Sequence, residues 1–274
     1  MKIAISSDNH LDSNHLDPNQ VSWQQAAILN QQKVDIYLFA GDLFNDFQRT
    51  LDYFKTLQAR TRAKVLFIAG NHDMLQNISP RELETFTDPL YFHRQVLEIP
   101  HWCLVGNNGW YDYSFSRLKD NPGQIRKWKK AFWPDGMVQQ EESDYQREDR
   151  VLAQVKGALD QAGDSKILLA THFVPQKALL WPRGPMVDTP RRKRMFEMVQ
   201  AMLGSQRLGD LISTYPQVKY LVYGHVHGEH RPQKIGGTVY LNQAVGVKRP
   251  RNHEWQRANF MDQWRYKLRI LDLK

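Results

Sequence analysis

Five short apolar runs in this chain each end on Asp, Asn or His, and that repeated juncture constrains the fold more than any other feature. The clearest is Ile36-Tyr37-Leu38-Phe39-Ala40, which stops at Gly41-Asp42. An unbroken apolar run of this length, rich in β-formers, predicts a strand buried on both faces, as in a parallel sheet. Ile3-Ala4-Ile5 leads through two serines to Asp8-Asn9-His10, and Val65 to Ala69 leads to Gly70-Asn71-His72-Asp73. Ile167 to Ala170 leads to Thr171-His172, and Tyr220 to Tyr223 leads to Gly224-His225-Val226-His227. Side chains just past such strands sit at the carboxyl edge of the sheet, where open α/β sheets hold their ligands. Unrelated polar residues would instead scatter over turns and surfaces.

Helical patterns separate the first three runs. One spans about Asn19 to Gln32 behind Pro18, with Val21, Trp23, Ala26, Ala27 and Leu29 expected on its inner face. Another spans Phe47 to Arg62, with Leu51, Phe54 and Leu57 inward. Successive strand–helix–strand units predict parallel strands with right-handed crossovers. The pattern then changes. Arg94 to Ile99 and His101 to Val105 suit shorter strands, and residues 107–144 form the least regular part of the chain. That stretch interleaves Trp110, Tyr111, Tyr113, Phe115, Trp128, Phe132 and Trp133 with Arg126, Lys127, Lys129 and Lys130. It is expected to be a cap-like insertion over the carboxyl edge, the alternative being a packed excursion with a small core of its own. A helix follows from Glu142 to Ala162, closed by Gly163, and a loop carries Trp181 to Pro185. Arg191-Arg192-Lys193-Arg194 stands at a helix start, where cations oppose the helix dipole, so the cluster either answers an anion nearby or, as such runs more often do, forms a solvated helix face. Helical spacing resumes at Phe196, Val199, Met202 and Leu203, and again at Leu208, Leu211 and Ile212. Gly237 to Leu241 and Lys267 to Leu273 suit late strands, the last one alternating and therefore half-buried and antiparallel.

With 274 residues and 41% hydrophobic residues, the chain can bury a sizeable core. No apolar run approaches a membrane span, so no membrane partner is expected. A strand beginning at Lys2 leaves no room for a secretion signal ahead of it. Cys103 is the single cysteine and suits an inert core thiol, so a reducing, cytoplasmic setting is expected. The net charge of +8 suits phosphorylated partners, nucleic acid included, although basic surfaces are often merely solvated. The sequence carries no signal for a particular oligomeric state.

The donor types explain one another. Imidazole and carboxylate together suit borderline divalent metals. Asp42 has two oxygens and can bridge two ions. In Asp8-x-His10 and in His225-x-His227 two side chains of one extended segment point the same way. Asn71 offers a neutral amide oxygen, and His172 completes the set. An isolated Asp-x-His is common by chance, whereas Gly-Asn-His-Asp and Gly-His-x-His are rare.

The ordered set Asp8-x-His10, Gly41-Asp42-x-x-Asn45, Gly70-Asn71-His72-Asp73, Thr171-His172 and Gly224-His225-x-His227 resembles the calcineurin-like metallophosphoesterase superfamily. The resemblance implies a four-layer α/β/β/α sandwich, with two packed mixed sheets flanked by helices, over residues 1–274 as one domain. It implies a dinuclear centre of manganese, iron or zinc, with Asp8, His10 and His227 on one ion and Asn71, His172 and His225 on the other. Asp42 matches the bridging carboxylate, and His72 matches the catalytic histidine beside the leaving group. Many relatives carry Asp where this chain has Asn45, a weaker partner for a charged His72. The implied activity is hydrolysis of small-molecule or nucleotide phosphomonoesters or phosphodiesters by a metal-activated hydroxide. A nuclease acting on DNA or RNA is the alternative, and a non-catalytic scaffold on this fold is a third reading. His93, His101 and His253 are expected at the surface or in packing roles. His15 and His230 stand near the donor loops and could serve them. Lys248-Arg249-Pro250-Arg251 suits a solvated basic loop.

Overall fold

A computed structural model of the chain describes residues 1–180, 189–249 and 253–273. Strand β1 (Lys2–Ser6) leads to helix α1 (Pro18–Gln31), then β2 (Ile36–Ala40), α2 (Phe47–Arg60) and β3 (Lys64–Ile68). After α3 (Pro80–Thr85) come β4 (Gln95–Ile99) and β5 (Trp102–Gly106). Helix α4 (Pro122–Phe132), a 3-10 turn at Pro134–Met137 and α5 (Asp144–Ala162) precede β6 (Lys166–Ala170). Next are α6 (Pro190–Ala201), α7 (Gln206–Ser213) and β7 (Val218–Tyr223). Strands β8 (Gln233–Ile235) and β9 (Thr238–Asn242), helix α8 (Phe260–Lys267) and β10 (Arg269–Asp272) complete the described elements.

Among the described residues the strands form two mixed sheets, in the orders β10-β1-β2-β3 and β4-β5-β6-β7-β9-β8. Strands β10, β4 and β8 join antiparallel at three of the four sheet edges, and the parallel strand β3 forms the fourth. Because side chains alternate along a strand, the apolar runs serve two layers at once. Ile3, Ile5, Leu38 and Ile68 of the first sheet meet Leu104, Leu168, Val222 and Leu241 of the second in a core between the sheets. Ala4, Tyr37, Phe39 and Phe67 face the other way, where α2 brings Leu51, Phe54 and Leu57. On the far side Val105, Ile167 and Leu169 are buried with Val151, Val155 and Leu159 of α5. The result is the four-layer α/β/β/α arrangement.

Several sequence expectations need correcting. Trp23 is 69% exposed, and Ala27 is exposed too. The inner face of α1 uses Ser22 and Gln25 instead, and Gln25 accepts a hydrogen bond from Tyr53 at 2.8 Å. Val21, Ala26, Ile28 and Leu29 are buried on the same face, so apolar packing and side-chain bonding share it. Helices α3 and α8 and strand β8 were not foreseen. Both helices are short, and α8 begins at a side-chain cap, Asn259, rather than at an apolar period. The 107–144 stretch is more regular than expected, since α4 lies within it. Trp110, Tyr111, Tyr113 and Phe115 are fully buried core residues, whereas Phe132 is 72% exposed. Cys103 is buried, as expected. Trp181 to Pro185, and Pro250 and Arg251 of the basic loop, lie outside the described residues. No helix among the described residues is long and apolar enough to cross a membrane.

Candidate metal centre

Strands β1, β2 and β3 of one sheet and β6 and β7 of the other end at the same edge. The loops that follow are strained in a concentrated way. Asp8, His10, Asp42 and His225 all have positive φ, at 53°, 42°, 66° and 66°. Non-glycine residues avoid that region, and such strain gathers at functional sites that the surroundings over-determine. Asp73 supplies part of that determination. Its buried carboxylate accepts from the backbone N–H groups of Asp42 (2.7 Å), Leu43 (3.0 Å), Phe44 (3.2 Å) and Gly70 (2.9 Å), and from the Thr50 hydroxyl (2.7 Å). Burial, joined by the nearby charge of Asp42, pushes its pKa up to about 6. Glycine before two of the donor motifs has a packing cause. A Cβ on Gly70 would collide with the Asp42 carboxylate, and one on Gly224 with that of Asp8.

The donors converge in two groups. In the first, His227 Nε2 lies 3.3 Å from Asp8 Oδ1, and His10 Nε2 lies 3.1 Å from His227 Nε2. In the second, His172 Nε2 is 3.1 Å and His225 Nδ1 2.9 Å from Asn71 Oδ1. Asp42 stands between them, its Oδ2 3.7 Å from His10 Nε2 and 3.3 Å from His172 Nε2. One donor atom each from Asp8, His10 and His227, and one each from Asp42, His172 and His225, lie within 4.8 Å of one another. His10, Asp42 and His72 meet the same condition.

Outer contacts fix which atom of His172, His225, His227 and Asn71 faces inward. His172 Nδ1 donates to the Ala40 carbonyl (2.8 Å), and His225 Nε2 donates to that of Met202 (3.2 Å). Glu254 takes His227 Nδ1 at 2.8 Å. Such partners set the tautomer and raise ligand basicity. Asn71 Nδ2 donates to Asp135 at 2.7 Å, so the amide oxygen must face the cluster. His225 Nδ1 and Asn71 Oδ1 then present lone pairs to each other, an arrangement that suits a cation between them. The buried Asp8 Oδ2 has no hydrogen-bond partner among the described residues. The donor set therefore fits borderline divalent metals.

The titrations follow the same charges. Burial disfavours the His172 cation, but the charge of Asp42 outweighs it and carries the pKa up to about 9. Burial is likewise overcome at His227, where bonds to Asp8 and Glu254 raise the pKa to about 10. His10 and His225 are held well below the usual range, first by burial and then by neighbouring histidines. The site favours positive charge, and protons compete with metal ions for it.

All seven expected donors meet here, and His72 lies beside them, its ring centroid 4.8 Å from that of His10. His72 Nδ1 bonds Asn45 Oδ1 at 2.6 Å. His93 is a buried packing residue whose Nε2 is 3.4 Å from Glu84. His15, His101 and His253 are exposed. His230 is buried, with Nε2 3.3 Å from the His227 carbonyl. Sequence reasoning missed Glu254 and Asp135, which stand far from the motifs and carry no spacing signal. It quoted Asp73 without a role, although an acid directly after Gly-Asn-His could have been read as a clamp.

Imidazole, carboxylate and amide donors gathered at the strand ends of an α/β/β/α sandwich define a metallophosphoesterase, a hydrolase class. The chain belongs to the calcineurin-like phosphoesterase family, whose model matches residues 1–229. It is 25% identical over 209 residues to the 3′,5′-cyclic adenosine monophosphate phosphodiesterase CpdA of Pseudomonas aeruginosa. That match covers 74% of this chain and 58% of the length of the relative. Among solved structures, a phosphopantetheinyl hydrolase from Mycobacterium tuberculosis superposes with a TM-score of 0.68 at 18% identity, covering 98% of this chain and 95% of the other. This likeness concerns the fold. A dimetal phosphatase from Danio rerio aligns at 12% identity and a TM-score of 0.49, covering 88% of this chain and 86% of the other.

Proposed function

We propose that this chain hydrolyses phosphoesters at a dinuclear centre, with Asp8, His10 and His227 on one ion, Asn71, His172 and His225 on the other, and Asp42 between them. The observation that carries this reading is the position of Asp42 Oδ2, 3.7 Å from His10 Nε2 and 3.3 Å from His172 Nε2. Manganese, iron or zinc bound there would supply Lewis acidity and an activated water near neutral pH. The chain's own residues do the rest. Asp73 and Asp135 hold Asp42 and Asn71 in register. Glu254 and the Ala40 and Met202 carbonyls keep the histidine lone pairs inward. His72 takes the catalytic role, and with Nδ1 committed to Asn45 its Nε2 is left to protonate or hydrogen-bond the departing oxygen.

The likeness to a cyclic-nucleotide phosphodiesterase supports a nucleotide or other small phosphodiester as substrate, with phosphomonoesters second. On this reading residues 1–274 form one catalytic domain, residues 107–144 cap its carboxyl edge, and the setting is cytoplasmic. The test is turnover of an aryl phosphodiester by metal-loaded protein. Turnover should vanish on chelation and return with the divalent ion. A chain that loads metal and turns over no phosphoester would support the scaffold reading instead.

A further inference from the structure

Helices α4 and α6 pack side by side and leave a groove of about 530 Å³ between them. Lys127, Trp128, Phe132, Arg194 and Met198 line it. Three features of this groove bear on what it could bind.

The first is charge. Arg126, Lys127 and Lys130 of α4 and Arg191, Lys193 and Arg194 of α6 are all exposed. Acid is nearly missing. Helix α4 has none, and Glu197 of α6 is engaged by the Arg117 backbone N–H at 2.8 Å. The second is an exposed aromatic surface. Phe132 is 72% exposed, with Trp128 at 5.8 Å between ring centroids and Trp133 a further 6.0 Å from Trp128. A phenyl ring that open to water buries little of its surface in the fold. The third is position. Asp135, three residues beyond Phe132, bonds the Asn71 donor at 2.7 Å. Three residues span at most about 10 Å of chain, so the aromatic end of the groove lies close beside the donor cluster.

A ligand that answers all three has repeated negative charge, flat stacking groups and a phosphodiester within a short reach of both. We propose that the α4–α6 groove binds single-stranded nucleic acid, stacking bases on Phe132 and Trp128 and pairing phosphates with Lys127 and Arg194, and so presents a phosphodiester of that strand to the adjoining centre. This rests on the phosphoesterase reading and names its substrate class. Hydrolysis there adds one water across a P–O bond. One new end keeps the phosphate as a monoester, and the other leaves as a hydroxyl that has gained the proton. An acidic protein surface would account for the cations but not for the exposed Phe132 ring with Trp128 beside it. An anionic membrane would also meet the exposed Phe132 and Met195, but it has no use for the groove between the helices, so vesicles form one arm of the test.

The test uses the full metal-loaded chain and a fluorescein-labelled phosphorothioate oligodeoxythymidylate, which resists cleavage, followed by fluorescence anisotropy over a salt series. Binding should weaken linearly in log–log form as salt rises. Phe132→Ala should weaken it about 5- to 150-fold, the range that one lost base–aromatic stack produces. Lys127→Gln with Arg194→Gln should flatten the salt slope by roughly 0.7 per cation removed. The ordinary phosphodiester oligonucleotide should be cleaved. The groove assignment is overturned if an aryl phosphodiester turns over but the oligonucleotide is not bound, or is bound equally by all variants. Tighter binding to phosphatidylglycerol vesicles or to polyglutamate, lost in the same variants, overturns it too. If the oligonucleotide binds as described and no phosphoester is cleaved, the phosphoesterase reading fails and the binding surface stands.

Discussion

His72 and Asp42 lie in the same cluster but carry different tasks, and substitution separates them. Asp42→Ala removes the one carboxylate that stands within 3.7 Å of His10 and 3.3 Å of His172. It should weaken both metal sites and cut aryl phosphodiester turnover by orders of magnitude. His101→Ala should change neither, because His101 is exposed in the turn that opens β5, at the end of that strand opposite the donor loops. Equal losses from the two would mean that the site is misplaced. His72→Ala is expected to change which substrates survive more than it changes bound metal. General acids typically contribute roughly 10²–10⁴-fold, and they matter most for poor leaving groups. A neutral Asn45 stabilises a charged imidazole less than a carboxylate would, which favours the lower end. Activity on alkyl esters should therefore fall far more than activity on nitrophenyl esters. A leaving-group series on both proteins, with metal content measured alongside, checks this. Parallel dependences on leaving-group pKa would remove His72 as the acid.

Helix α5 carries a liability that serves no donor. Glu148 is fully buried on its inner face, and the Ser205 hydroxyl beside it offsets only part of the cost of burying its charge. Burial, with the charge of Asp112 beside it, pushes its pKa up to about 8 from an ordinary 4.5. The folded chain thus holds a proton that the unfolded chain releases near pH 4.5. Stability from this group is complete below that pH, declines as pH rises toward about 8, and is fully lost above it. Glu148→Gln should flatten that decline and gain on the order of a few kcal/mol in alkaline solution. Denaturant melts of both proteins across that window measure it, and parallel pH curves would show that Glu148 ionises normally. A packing counterpart lies in α2, where Phe54 stacks on Phe67 of β3 at 4.7 Å. Phe54→Ala should cost about 3–5 kcal/mol by the same melts, with metal binding intact in the folded fraction.

For the whole molecule, the sequence exposed what is periodic and local. The apolar runs revealed the central strands because they are buried on both faces. The donors were visible because each directly follows such a run. The shortest elements and the outer contacts were hidden. Strand β8 and helices α3 and α8 are too short for periodicity, and Trp23 misled because the buried face of α1 runs through Val21, Gln25, Ile28 and Leu29 and leaves it outside. Glu254 and Asp135 reach the cluster from remote loops, and only the folded chain brings them there.

The central claim is that these strand ends build two metal sites sharing Asp42. The most direct measurement is metal content per chain under saturating manganese or zinc, by elemental analysis of protein freed of unbound ion. The account predicts close to two ions per chain in the wild type and a loss affecting both in Asp42→Ala. A plateau at one ion under saturation, or two ions retained without Asp42, would contradict it.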